Sequence, residues 1–164
     1  MNETRIPKSE KAVQDYYPDS LNHCYGCGQL NEHGLHFKSY WQGEDSICVY
    51  DPEPYYISMP GFVYGGLIAS LIDCHCVGTA TAAAYRAENR DMESKPDLRF
   101  VTASLHVNYL KPTPLGVTLE VRARVKEVKG RKVEVTAELF ADKVKCASGE
   151  VIAVQIPDTM DKPS

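Results

Sequence analysis

Positive charge is nowhere concentrated in this sequence. The 164 residues carry 18 Lys and Arg against 22 Asp and Glu, a net charge of -4 at pH 7. With no basic stripe to neutralise phosphates, nucleic-acid binding is excluded as the expected activity. The N-terminal segment MNETRIPKSEKAVQDYYPDS has no apolar run, so neither a secretory signal nor a membrane anchor is predicted and a cytoplasmic location is expected. Internal repeats and low-complexity tracts are missing too. Six cysteines, at 24, 27, 48, 74, 76 and 146, make an even number. Without an export signal they read as thiols rather than as a disulfide framework. At this length one domain can bury its own core without covalent staples.

Charge is rarest between Tyr55 and Tyr85, where Asp73 is the one residue that is charged at neutral pH. The run is long and apolar on average, yet Pro60, Gly61, Gly65, Gly66, an Asp, a His and many Ala and Thr residues argue against a membrane span. From Gly66 to about Glu88 there is no proline and Ala and Leu are frequent, which predicts a helix of roughly 20 residues, about 30 Å long. A helix apolar on nearly all sides must be wrapped by other structure.

The wrapping follows in the chain. LRFVTASLHVNYLKP, VTLEVRARVKEV, RKVEVTAELF and VKCASGEVIAVQIP alternate with period two and are separated by Pro112 and Pro114, by a Lys-Gly turn and by an Ala-Asp-Lys turn. Upstream, GLHFKSYW and DSICVY flank QGED and predict a first hairpin. The expected fold class is α+β, a curled antiparallel sheet wrapped around one long central helix. Residues 1–22 read as an N-terminal arm, 23–157 as the domain and 158–164 as a disordered tail.

At 100° per residue, Gly66, Ala69, Ser70, Cys76, Val77, Ala80 and Ala84 share the helix face of Asp73, and Leu67, Ile68, Leu71, His75 and Tyr85 lie opposite. The bulky face is expected to grip the sheet. Asp73 then sits on a stripe of small side chains where a ligand can approach. An unpaired buried carboxylate costs several kcal/mol, so Asp73 needs donors, water or a ligand beside it. It reads either as a satisfied structural Asp or as a base or nucleophile in a cleft. The glycines before it favour the second reading. Gly65 and Gly66 permit close approach to the backbone, and the unpaired N–H groups of a first helical turn suit an oxyanion.

The segments PGFVYGGLIASLID (60–73), VTASLHVNYLKPTPLG (101–116) and HCYGCGQLNEHGLHF (23–37) resemble the hotdog-fold acyl-CoA thioesterases, in the branch of the phenylacetyl-CoA thioesterase. The resemblance spans residues 23 to about 156. It implies a homodimer, or a dimer of dimers, with acyl-CoA as substrate, no cofactor and no metal, and sites at the subunit interface. By position it implies that Asp73 activates water or attacks the thioester, that the Gly66 amide, with Gly65, stabilises the oxyanion, and that Thr102 places the water. Gly66 and Asp73 of one site would come from opposite subunits. The family commonly has His where this chain has Tyr64; a phenol still donates a hydrogen bond, but with different reach and acidity. A non-catalytic acyl-CoA-binding protein of the same fold is the rival reading, and no Asp/His pair stands at the spacing of a hotdog hydratase.

Ala69, Cys76 and Ala80 are expected to border the acyl pocket, and Lys111, Arg131 and Lys132 to meet coenzyme A phosphates. A Cys-His nucleophile from DCHC is disfavoured because consecutive helical residues do not face one another; His75 reads as a core histidine. Cys24, Cys27, His33 and His36 make C-x2-C-x5-H-x2-H, which offers enough zinc ligands at short spacing. Reduced thiols in a Gly-rich turn near the site are the preferred expectation.

Overall fold

The computed structural model describes residues 10–157 and residue 159. Among the described residues, one α-helix and six strands follow two short 3-10 turns: β1 Tyr40–Gln42, β2 Asp45–Tyr50, α1 Gly65–Ala87, β3 Phe100–Tyr109, β4 Leu119–Lys129, β5 Lys132–Ala141 and β6 Val144–Gln155. All pairings are antiparallel, in the spatial order β1-β2-β4-β5-β6-β3. The sheet is open, with β1 and β3 at its edges, and it packs along α1 through β3, β4, β5 and β6.

Sequence and packing explain this arrangement together. β4 and β5 bury Leu119, Val121 and Ala123 and then Val133, Val135, Ala137 and Leu139 at every second position, because successive strand side chains point to opposite faces. These residues meet Leu67, Ile68, Leu71 and Ile72 of α1 in one core. The helix is long and apolar enough to cross a membrane, and here that apolarity is used inside the sheet. Leu71 is fully buried in this core, so Leu71→Ala is expected to cost about 3 kcal/mol, through lost burial and the cavity left behind, in urea unfolding.

Three local expectations are corrected. Residues 10–22 do not form a free arm: a 3-10 turn at Val13–Tyr16 packs on α1, with Ala12, Val13 and Gln14 buried. Gln14 is accommodated because its amide donates to Ser39 Oγ at 3.2 Å and accepts from the Ser39 N–H at 2.8 Å. Residues 1–9, and the expected tail apart from Thr159, lie outside the described residues. The first hairpin is shorter than GLHFKSYW suggests, because His36 takes a left-handed conformation (φ 56°) and pairing starts only at Tyr40. Strict alternation along β3 also fails. Thr102 pairs with Ala153 and Ser104 with Ile152, so Ala103 is an extra residue in the ladder, a bulge that changes which side chains face inward.

Candidate active site

The bulge sets the geometry of the site. Before it, Phe100 and Thr102 face α1; after it, Val107 packs on the core and Tyr109 reaches back to the start of the helix, donating to the Gly65 carbonyl at 2.8 Å. His106 and Asn108 are turned to the outer face, beside Thr136, Glu138 and Glu150. A strand without the bulge would place Thr102 with them. Instead, Thr102 Oγ1 donates to Asp73 Oδ1 at 2.5 Å.

Asp73 lies half-buried in the wall of a cavity of about 320 Å³ that is lined mainly by apolar and aromatic side chains, among them Tyr16, Tyr17, Leu21, Val77, Tyr85 and Phe100. That volume is at the lower end of small-molecule sites. Burial pushes the Asp73 carboxyl above its usual range; the Thr102 hydroxyl pulls it down, and the nearby Cys24 sulfur adds to the rise. A carboxylate so placed is partly desolvated, with one oxygen held and the other able to take a proton from water.

The helix N-terminus lies elsewhere on the same chain. Tyr64 is the N-cap residue, in extended conformation, and no side chain caps the first turn. Its ring lies over Gly66, where a Cβ would collide with it. Gly65 lines a second, shallower depression of about 360 Å³ with Met59, Phe62, Ile68, Tyr109 and Lys111. Asp73 and the paired glycines therefore do not meet within one chain.

The structure redraws the acyl-pocket residues. Cys76 and Ala80 are fully buried in the core, because small side chains on that flank of α1 let the sheet approach closely instead of leaving space. The row Asp73, Val77, Thr81 and Tyr85 faces the cavity, as residues four apart share a face. Ala69 is half-buried and does not line it. Of the basic candidates, Lys111 is in the second depression; the Arg131 guanidinium donates to the Gln155 carbonyl at 2.7 Å, and Lys132 lies 3.9 Å from Glu134. None of the three lines the Asp73 cavity.

Sequence reasoning missed most of the cavity's other wall, which comes from Tyr16 to Leu21 and from Asp97 to Val101. A cue was present in the paired aromatics of QDYYP, which read as arm rather than lining. Cys24 and Cys27 do reach this cavity, where Cys74 joins them. His75 lies on the opposite side of α1, fully buried; its Nδ1 is 2.8 Å from Ser39 Oγ and its Nε2 is 3.2 Å from the Ser46 carbonyl.

A long helix carrying a carboxylate beside a largely apolar cavity, with a glycine pair at its start and an antiparallel sheet curled around it, defines a hotdog-fold protein. Residues 60–148 match the family model described as thioesterase superfamily. A thioesterase superfamily protein from Shewanella loihica PV-4 is 48% identical, with 77% of this chain and 96% of that one covered at a TM-score of 0.63. The chain belongs to the thioesterase superfamily. The acyl-coenzyme A thioesterase THEM4 of Rattus norvegicus is 32% identical over 117 residues, covering 71% of this chain and 45% of that protein. The chain thus spans less than half the length of this curated relative. The PaaI protein of the E. coli phenylacetic acid degradation operon is similar in fold, with a TM-score of 0.61 at 14% identity over 75% of this chain and 81% of that one.

Proposed function

We propose that this protein hydrolyses an acyl-coenzyme A thioester to the free acid and coenzyme A. The observation that carries the reading is the Asp73 carboxylate, held by Thr102 at 2.5 Å in the wall of a largely apolar cavity. Superfamily membership and the acyl-coenzyme A thioesterase name of the rat relative support the same chemistry. Asp73 Oδ2 takes a proton from water as that water attacks the thioester carbonyl; the developing oxyanion is met by the first-turn amides of Gly65 and Gly66; the coenzyme A thiolate leaves and is protonated.

Because Asp73 and Gly66 are apart on one chain, the reading includes a second copy that brings its helix N-terminus to this cavity. A surface suited to that copy is at hand. Among the described residues β3 is an edge strand paired only with β6, and Val101, Leu105 and Tyr109 on it are exposed, as are Phe62 and Tyr64 nearby. An apolar edge of this kind favours pairing with another chain. Lys111, close to that helix start, would then stand at the mouth of the joint site, suited to a coenzyme A phosphate.

The test is thiol release from a panel of acyl-CoA esters together with the mass of the protein in solution. Turnover by a dimer or tetramer supports the reading. Binding of the esters without thiol release favours the non-catalytic alternative, which the Tyr64 ring over Gly66 specifically motivates. Thr102 acts here as a positioning residue. Thr102→Val is expected to lower kcat about tenfold with KM unchanged, since a hydrogen bond to a charged acceptor is worth about 1.5–3 kcal/mol. Thr102→Ser, which keeps the hydroxyl, is expected to restore most of the rate.

A further inference from the structure

The turn HCYGCG meets the helix at a third thiol. The sulfurs of Cys24, Cys27 and Cys74 all lie within 4.8 Å of one another, and those of Cys24 and Cys74 are 3.9 Å apart. Thiolates bound tetrahedrally to one zinc ion at about 2.3 Å stand about 3.8 Å from each other, so a small inward movement of this trio completes three corners of a tetrahedron. We propose that Cys24, Cys27 and Cys74 form a three-thiolate site for one zinc ion, with its fourth position open to the Asp73 cavity.

The turn is built for ligation. The Gly28 N–H donates to the Cys24 carbonyl at 2.7 Å, closing a tight turn. A closed C-x2-C turn of this kind brings two sulfurs to one side of the loop. Gly28 cannot carry a side chain, because its Cβ would collide with the Cys24 backbone; a Cβ on Gly26 would collide with the Cys74 sulfur itself. The glycines therefore admit the helix thiol into the turn. Outside the turn, Leu30 N–H to Asn22 O at 2.9 Å, Gln29 N–H to Asn22 Oδ1 at 2.8 Å and Phe37 N–H to Gly26 O at 2.9 Å fix the loop before any ion arrives.

The third ligand is not the one that C-x2-C-x5-H-x2-H suggests. His36 places its Nε2 2.6 Å from the Asn31 carbonyl, and neither it nor His33 belongs to the sulfur cluster. Cys74, next to Asp73 in sequence, takes that place. All three cysteines line the cavity, and Cys24 is exposed enough to give an ion a way in. An ion there ties the N-terminal loop to the helix beside the carboxylate, independently of whether the protein turns over a thioester.

The test uses full-length protein purified without chelator and kept reduced. The expected result is one zinc per chain by elemental analysis. Cobalt(II) added to the metal-stripped protein should give a thiolate charge-transfer band and the intense visible bands of a tetrahedral site. Cys24→Ser and Cys27→Ser, each checked for fold by circular dichroism, should weaken zinc binding, measured by competition with a chromophoric chelator, by at least about 100-fold. Cys146→Ser, remote from the cluster, should not. Three outcomes overturn the proposal: no stoichiometric zinc and no cobalt spectrum in reduced protein; single-cysteine variants that bind zinc like the parent; or a thiol count two short with no metal present, which would mark a disulfide.

Discussion

Asp73→Asn is expected to lower kcat for the proposed acyl-CoA hydrolysis by about 10³-fold, the scale of a lost general base, and to leave KM nearly unchanged. Asn keeps the shape of the side chain and can still accept from Thr102, but it cannot take a proton from water. Substrate affinity should depend instead on the apolar side chains of the cavity and on the surface proposed to meet coenzyme A, which the substitution leaves in place. Stability should move the other way. Burial raises the Asp73 carboxyl above its usual range, so at neutral pH the charged group opposes folding, and a neutral amide removes that penalty. The expected result is an inactive variant whose Tm equals or exceeds that of the parent. An Asn variant with parental kcat would remove Asp73 from the chemistry; one that fails to fold would contradict the burial argument.

What could be read in the sequence follows from how local each signal is. The helix was legible because proline and charge are both missing from its run, and the observed Gly65–Ala87 differs by one residue at each end from the expected bounds. Four long strands were legible for the same reason, since period two is a property of neighbours. The bulge at Ala103 was not. VTASLHVNY alternates without interruption, and only pairing with β6 shows that the inward phase changes after Thr102. The resemblance supplied Thr102; strict alternation would put it on the face of His106 and Asn108. Docking of residues 10–22 was also hidden, because a polar residue such as Gln14 enters a core only when a partner distant in sequence, here Ser39, satisfies both ends of its amide. Likewise the Cys24 and Cys27 pair is visible in sequence, while Cys74 joins them only through packing of the turn on the helix.

Acid should destabilise this protein through His75 well before the ordinary carboxylates are all protonated. The ring is fully buried, and burial lowers its pKa from 6.5 to about 4. The hydrogen-bond chain accounts for the neutral form. Ser46 O, 3.2 Å from Nε2, can only accept, so Nε2 carries the proton and Nδ1 accepts from Ser39 Oγ at 2.8 Å. Ser39 Oγ in turn accepts from Gln14 Nε2 at 3.2 Å, a group that can only donate. A second ring proton on Nδ1 would have to use the Ser39 hydroxyl as an acceptor and so turn its hydrogen away from the ring, where the contacting atom of Gln14, Nε2, is itself a donor. The unfolded chain takes up this proton near pH 6.5 and the folded chain only near pH 4, so the neutral ring's contribution is fully present above about pH 7 and is lost as pH falls through that window. By about pH 4 the loss amounts to about 3 kcal/mol, a large share of a typical domain's stability. Urea unfolding at several pH values, compared with His75→Gln, isolates it: the Gln amide both donates and accepts and does not titrate. The parent curve should fall more steeply than the variant's between about pH 6.5 and 4, and parallel curves would mean that the ring titrates normally and is not sealed in the chain of Gln14, Ser39 and Ser46.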